Sequence, residues 1–310
     1  MELLERSTGA TGDGAWQIDA ETAAGVAARF PHWRARATGA LLQKRIGGRF
    51  NAPVRRSFIA RDAAAEHAPP LAHILRSGRG AGIRLKLFLS LLWVAVSEPH
   101  DVSLPARTWA NLLGLGDPEG AGARQVRSGF AWLEKNSFVR VEEVPGHPSR
   151  VTLLEESANG KDYVLPAVAF AKAHAAGLQP NAHIYLRLPS TFWTNGWAAS
   201  LSGPATAMLL VLLDARGGRS EDQELWFSPR VADARYALSE NTRAAGFKEL
   251  AEADLVVVHR RPVDPEALTY RRVRNTYTLL LDNLAQPAGG EGATEGPVTE
   301  DVPREAQAPT

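Results

Sequence analysis

The hydrophobic residues of the chain fall into two similar series, and each series predicts the same order of secondary-structure elements. Each opens with an apolar run of helical spacing, Ile83–Val96 in the first and Pro204–Asp214 in the second. A short extended piece, two further helices, and two strands joined by a turn follow each run. The pattern therefore predicts a mainly α-helical chain that contains one structural unit twice.

The repeat is clearest in the third predicted helix of each unit and the strand after it. Residues 125–141 and 242–258 align at a constant offset of 117, so that Gly129 corresponds to Gly246. The first unit is predicted to contain helices at 83–96, 105–113 and 121–136 and strands at 138–143 and 151–154.

Local signals mark the helix starts of the second unit. Ser228 followed by Pro229 predicts an N-cap and the first turn of a helix that runs to about Tyr236. Ser239 is expected to cap the next helix, and the β-branched run at Leu255–His259 predicts a strand. A charged turn and a second strand complete the unit.

This order of elements resembles the winged helix-turn-helix. The segment 238–258, with a Leu-Ser turn and a threonine before an apolar pair and a short strand, resembles the recognition-helix signature of that family. The segment 184–213 is similar to the lead-in of winged-helix modules in plasmid replication initiators and phage replication organisers. The resemblance implies a mainly α fold with small β-hairpin wings, built from two tandem winged helix-turn-helix modules.

Composition and the repeat together predict how the chain is divided. Residues after 284 are rich in Gly, Pro, Glu and Ala and have few large apolar side chains, which is typical of disorder. The predicted parts are a basic, helical N-terminal extension (1–80), a first winged-helix domain (81–157), a linker (158–183), a second winged-helix domain (184–283) and a disordered acidic tail (284–310).

The composition excludes several classes of function. The chain has no cysteine, which rules out disulfides, thiol catalysis and thiolate metal sites, and its eight histidines show no metal-ligand spacing. Its apolar runs are shorter than the roughly 20 residues that span a bilayer, and no secretory signal follows Met1. We therefore expect a cytoplasmic protein that is not an enzyme, needs no cofactor or metal and does not insert into a membrane.

Charge is distributed unevenly along the chain. The net charge is +1, because the negative charge of the acidic tail offsets most of the positive charge of the remaining chain. Between Arg34 and Arg61 there are eight basic residues and no acid, a run that predicts an arm for phosphate groups. Its candidate DNA contacts are Arg45, Arg55 and Arg56.

The third helix of a helix-turn-helix enters the major groove, so its outward residues are candidate base contacts. In the first unit these are Arg124, Gln125, Arg127 and Ser128. Arginine suits guanine and glutamine suits adenine, so this set is typical of direct readout. In the second unit the candidates are Asn241, Thr242, Arg243 and Lys248, but alanines replace the equivalents of Arg127 and Ser128, which predicts weaker readout.

The two predicted wings differ in charge. The first begins with Glu142 and Glu143, which phosphate would repel. The second has a surplus of three positive charges and offers Arg260, Arg261, Arg271, Arg272 and Arg274 as DNA contacts. We therefore expect the first unit to read bases with its helix and the second to hold the backbone or minor groove with its wing.

Tryptophan positions have two interpretations. Trp93, Trp109 and Trp132 lie on apolar helical faces, which favours core packing over base stacking. Trp193 and Trp197 are compatible either with packing between the units or with an exposed partner site.

These observations favour a sequence-specific protein for double-stranded DNA. The resemblance implies a plasmid- or phage-type replication initiator, which would also contact host replication proteins and could act as a homodimer. Two alternatives stay open, a transcriptional regulator and a winged-helix protein–protein scaffold. The scaffold would leave the exposed arginines without a role.

Overall fold

The computed structural model describes residues 32–61, 67–220, 223–263 and 273–289. The chain is about half helical, with small antiparallel sheets of two or three strands, which confirms the mainly α class with small β elements. The helices are α1 Trp33–Arg45, α2 Arg56–Ile59, α3 Pro70–Leu75, α4 Ala81–Val94, α5 Ala106–Leu112, α6 Ala121–Lys135, α7 Pro166–Ala175, α8 Thr191–Thr194, α9 Trp197–Ser200, α10 Gly203–Arg216, α11 Pro229–Tyr236 and α12 Glu240–Glu252. The strands are β1 Asn51–Arg55, β2 Asp101–Ser103, β3 Val139–Glu142, β4 Arg150–Leu153, β5 Tyr185–Pro189, β6 Val256–Pro262 and β7 Val273–Leu279. Short 3₁₀ helices lie at Pro180–His183 and Leu281–Ala285.

The predicted order of elements occurs twice. The first unit contains α4, β2, α5, α6, β3 and β4, and the second contains α10, α11, α12, β6 and β7. In the first unit β4 pairs with both β2 and β3. In the second, β7 pairs with β6 and also bridges Leu225, which stands where β2 stands in the first unit. Both units therefore share one pairing pattern as well as one order.

Serine caps fix the helix starts of the second unit as predicted. The Ser228 hydroxyl accepts a hydrogen bond from the amide of Val231 at 3.1 Å, and the Ser239 hydroxyl accepts one from the amide of Thr242 at 3.2 Å. These bonds satisfy amides that have no partner within the helix.

Equivalent glycines bring the third helix of each unit against its first helix. A methyl group on Gly129 would lie 2.6 Å from Cδ1 of Leu87, and one on Gly246 would lie 2.5 Å from Cγ of Met208. Leu87 and Met208 therefore occupy equivalent positions in α4 and α10, at an offset of 121 residues. The lack of a side chain at these positions lets the third helix of each unit lie close to the first.

The two units meet where α4 crosses α10. The offset of 121 makes Gly82 equivalent to Gly203, and these two residues touch, since a methyl group on Gly203 would lie 2.7 Å from Cα of Gly82. Contact between equivalent residues is expected of units related by an approximate two-fold rotation. The two copies of the repeat therefore pack against each other through equivalent residues.

One hydrophobic core runs through both units. The ring of Trp93 in α4 stacks on that of Trp193 at a centroid distance of 4.6 Å, and Trp193 Nε1 donates to the Ser90 hydroxyl at 2.8 Å. Trp197 is also buried and donates to the carbonyl oxygens of Leu284 and Gln286. Both tryptophans pack internally, so the alternative of an exposed partner site at these residues is wrong.

Packing does not stop at the boundaries expected at residues 80, 158 and 284. Strand β1, from the N-terminal region, pairs antiparallel with β5. The segment 158–183 contains α7 and the buried ring of Tyr163. Leu284 and Ala288 are buried, so the packed chain extends to the end of the described residues at 289. The rest of the expected acidic tail lies outside the described residues.

A buried lysine lies between the units. The Nζ of Lys86 in α4 donates to the carbonyl oxygen of Leu201 at 3.1 Å. Burial lowers the pKa of Lys86 to about 8, and the negative charge of Glu249 opposes this shift.

Lys86 should make stability depend on pH in the alkaline range. Because its folded pKa lies below its value in the unfolded chain, the unfolded state binds more protons between pH 8 and 10.5, and stability rises with pH there. Between pH 7.5 and 9.5, we expect the free energy of unfolding of wild type to increase by about 2 kcal/mol more than that of Lys86→Met. Denaturant unfolding of both proteins at the two pH values measures this difference. Lys135→Met, at an exposed site, should behave as wild type, and an equal response of Lys86→Met would contradict the prediction.

Candidate nucleic-acid interface

Helix α6 presents the four polar residues predicted for the first unit on its exposed face. Its apolar side chains Val126, Phe130 and Leu133 are buried against the core. Arg124, Gln125, Arg127 and Ser128 are all exposed. The amphipathic period of the helix therefore separates a packing face from a face with hydrogen-bonding groups that solvent or a ligand can reach.

The two arginines of this face are not neutralised by a salt bridge within the described part of the chain. The carboxylate of Asp117 caps the helix by accepting hydrogen bonds from the amides of Ala121 at 2.7 Å and Gly120 at 3.1 Å. These bonds, and to a smaller extent the charge of Arg124, lower the pKa of Asp117. Asp117 thus fixes the start of α6, and the guanidinium groups of Arg124 and Arg127 stay available.

The equivalent face of α12 has less to offer a ligand. Asn241 is exposed, whereas the Thr242 hydroxyl lies 2.8 Å from that of Ser239 within the cap. Arg243 donates to the carbonyl oxygen of Leu238, so this predicted contact is occupied within the protein. Lys248 is exposed and 3.7 Å from Glu252, one turn further along the helix. Weaker base readout by the second unit stays a prediction. The bonds that Thr242 and Arg243 form within the protein are a second reason to expect it.

One of the five arginines predicted as contacts on the hairpin of β6 and β7 is paired with an acid of the same unit. Arg261 is bound by both carboxylate oxygens of Glu224, which also accepts from Thr276 at 2.6 Å. The Arg261 and Thr276 hydrogen bonds lower the pKa of Glu224 to about 2. Glu224 lies outside the turn, 37 residues before Arg261, so the charge of the turn alone does not reveal this pair.

The other hairpin arginines differ in environment. The Arg274 guanidinium carbon lies 4.5 Å from the centroid of the Trp226 ring, a cation–π contact on a half-exposed indole. Arg260 is exposed and forms no salt bridge with any described residue. Arg271 and Arg272 lie outside the described residues. Among the predicted contacts on the described part of this hairpin, Arg260 is therefore the most accessible.

The basic run from Arg34 to Arg61 is not a free arm. Arg55 is 2% exposed, its guanidinium pairs with the buried Glu156, and it donates to the carbonyl oxygen of Val164 at 2.5 Å. Its assignment as a DNA contact is wrong, because β1 carries it into the interior. Arg56 binds Asp214 at 2.9 Å, and Asp214 also accepts from Arg235. Arg45 lies exposed at the end of α1.

The structure adds two arginines that the sequence did not single out. Arg79 is exposed in the loop before α4, and Arg84 lies in the first turns of α4. Both line a groove beside Arg124 of α6. Residues so far from α6 in the sequence become its neighbours only because α4 and α6 pack together.

Metal sites and membrane-spanning helices were also sought among the described residues. No group of three or more His, Asp or Glu side chains in them is arranged to hold a metal ion. None of the described helices is both long and apolar enough to cross a membrane.

The chain matches no protein-family model, and comparison with curated proteins and with solved structures found no match.

Proposed function

We propose that the protein binds double-stranded DNA through two winged-helix modules. The observation that carries this proposal is the exposed face of α6, where Arg124, Gln125 and Arg127 lie on a helix capped by Asp117 and the two arginines form no salt bridge with any described residue. Arginine and glutamine side chains on a helix can form paired hydrogen bonds with base edges in the major groove.

The repeated element order supports the choice of fold. In each unit three helices precede a β-hairpin, and the strand or bridge between the first two helices pairs with the last strand. In a winged helix, this arrangement sets the third helix and the hairpin side by side for DNA. A helix of this kind positions its side chains more precisely than a loop would.

The two modules have unequal roles in this proposal. Helix α6 of the first module reads bases, and the second module adds backbone contacts from Arg260 and other cations of its hairpin. The pairing of Arg261 with Glu224 and of Arg243 with the backbone reduces the share of the second module. Most sequence preference should then come from the first module.

Selection of bound sequences from a random duplex pool tests the proposal directly. We expect a preferred site, and an affinity that falls with salt by a slope of about 0.9 per phosphate contact on logarithmic axes. The selected motif would also report the spacing and orientation of the half-sites. Absence of binding at low salt, or affinity that does not change with salt, would contradict DNA binding.

Arg127→Ala should weaken binding to the preferred duplex by about tenfold and relax preference at one base position. Arg260→Ala should instead weaken binding equally on all duplexes, because a phosphate contact carries no sequence information. Both are measured by fluorescence anisotropy on a panel of single-base-substituted duplexes. Equal, sequence-independent losses in the two variants would contradict the division of roles.

Among the classes of DNA-binding protein, we propose that this one is a replication initiator of the plasmid or phage type that acts in the cytoplasm. The duplicated module and the lead-in at 184–213 support this choice. We expect the DNA beside the gene to contain an array of short direct repeats that match the selected site. A single palindrome that overlaps a promoter would instead favour a transcriptional regulator.

A further inference from the structure

A groove with basic walls runs along α6 in the first unit. Its polar lining consists of Arg79, Arg84, Arg124, Gln125 and Ser128. Ile83 and Gly129 also line it, where α4 and α6 pack closely. The described residues that line the groove include no carboxylate. It therefore concentrates positive charge beside the helix face proposed to read bases.

Two arginines of the groove are held differently. The Arg84 guanidinium carbon lies 5.0 Å from the centroid of the Trp132 ring, and Arg84 donates to the carbonyl oxygen of Ser77 at 3.0 Å. Arg84 is thus a cation fixed in place. Arg79 is exposed at the rim and forms no salt bridge with any described residue. An anion in the groove would find one preorganised charge and one that is free to fold over it.

The second unit provides an internal comparison for this groove. At the offset of 121, Arg79 and Arg84 correspond to Ser200 and Ala205. At the offset of 117, Arg124 corresponds to Asn241. The same helix crossing is therefore built in the second unit without any of the three positive charges. Arg84 also contacts Trp132 and Ser77, whereas the side chains of Arg79 and Arg124 form no hydrogen bond or salt bridge with any described residue and can therefore bind a ligand.

We propose that this groove binds a phosphate of the DNA backbone next to the bases read by α6, with Arg79 as the main contact. The inference rests on the proposed DNA binding and deepens it. A planar guanidinium matches two phosphate oxygens at once, and Arg84 and Arg124 add charge at short range. The contact would set the register of α6 in the groove of the duplex and would make the first unit dominant in affinity.

Arg79→Ala tests the assignment, because an exposed loop side chain can be removed without disturbing the core. Affinity for the selected duplex, measured by fluorescence anisotropy over a salt series, should fall by about three- to tenfold, and the salt slope should fall by about 0.9. The loss should be the same on every duplex of the base-substitution panel.

Arg187→Ala is the matched control, since it removes one positive charge from an exposed side chain of β5, which belongs neither to the groove nor to either hairpin. It should keep the wild-type salt slope. If Arg79→Ala keeps the wild-type slope while wild type binds, the groove assignment is overturned and DNA binding stands. If Arg79→Ala changes base preference, Arg79 contacts a base and the phosphate assignment is overturned. If wild type binds no duplex at low salt, both proposals fail.

Discussion

Replacement of Arg55 by alanine is expected to lower the free energy of unfolding by about 3–5 kcal/mol, the effect of stripping one partner from a buried ion pair. Glu156 is fully buried, and its amide and guanidinium partners both come from Arg55. Burial raises the pKa of the Glu156 carboxyl, and the charge of Arg55 opposes that shift. Without Arg55, the carboxylate must stay charged in an apolar environment or take up a proton.

Chemical denaturation of wild type and Arg55→Ala gives the change in free energy. Arg150→Ala is the matched control, because Arg150 pairs with Asp101 at 3.2 Å on the surface, where such pairs contribute less than about 1 kcal/mol. The double variant Arg55→Met with Glu156→Leu should recover most of the loss, since apolar side chains of similar size can replace a buried pair. A loss no larger for Arg55→Ala than for Arg150→Ala would contradict the interior role of this pair.

Gly246→Ala is expected to destabilise the fold by about 2–3 kcal/mol through overpacking. The new methyl group would lie 2.6 Å from the carbonyl oxygen of Pro204 as well as 2.5 Å from Met208, so the backbone of α10 must move. Alanine favours helices over glycine by about 1 kcal/mol, which offsets only part of this strain. Thermal and denaturant unfolding measure the result.

Gly129→Ala, at the equivalent position of α6, is the matched comparison. There the new methyl group meets only the far end of the Leu87 side chain, at 2.6 Å, and the next contact, with Ile83, is 3.9 Å away. Leu87 can rotate, so the gain in helix propensity should bring the variant close to wild-type stability. Equal destabilisation at both glycines would show that the two helix crossings are equally rigid, contrary to the contacts described.

Much of the fold could be predicted from local patterns. The helix at Pro229–Tyr236 and its Ser228 cap were predicted where they occur, and the first helix of the first unit was predicted at 83–96 and is found at Ala81–Val94. The exposed position of Arg124 and Arg127 followed from the period of α6. Such features depend on residues within a few positions of one another, so the sequence displays them directly.

The availability of each arginine could not be predicted in the same way. Arg55 and its partner Glu156 are 101 residues apart, and Arg261 and Glu224 are 37 apart. Arg79 and Arg124 border one groove only because α4 packs against α6. A linear count of charge treats these side chains alike, although burial and pairing leave them with different roles.

The sequence by itself determined the helices of the two units, the serine caps of the second unit, the repeat and the polar face of α6, because these depend on periodicity and on bonds between near neighbours. Only the tertiary structure decided that the units share one core, that equivalent glycines touch at their crossing, and which cations face solvent. The physical reason is that core packing and ion pairing join residues far apart in the chain, and their geometry exists only once the helices have come together.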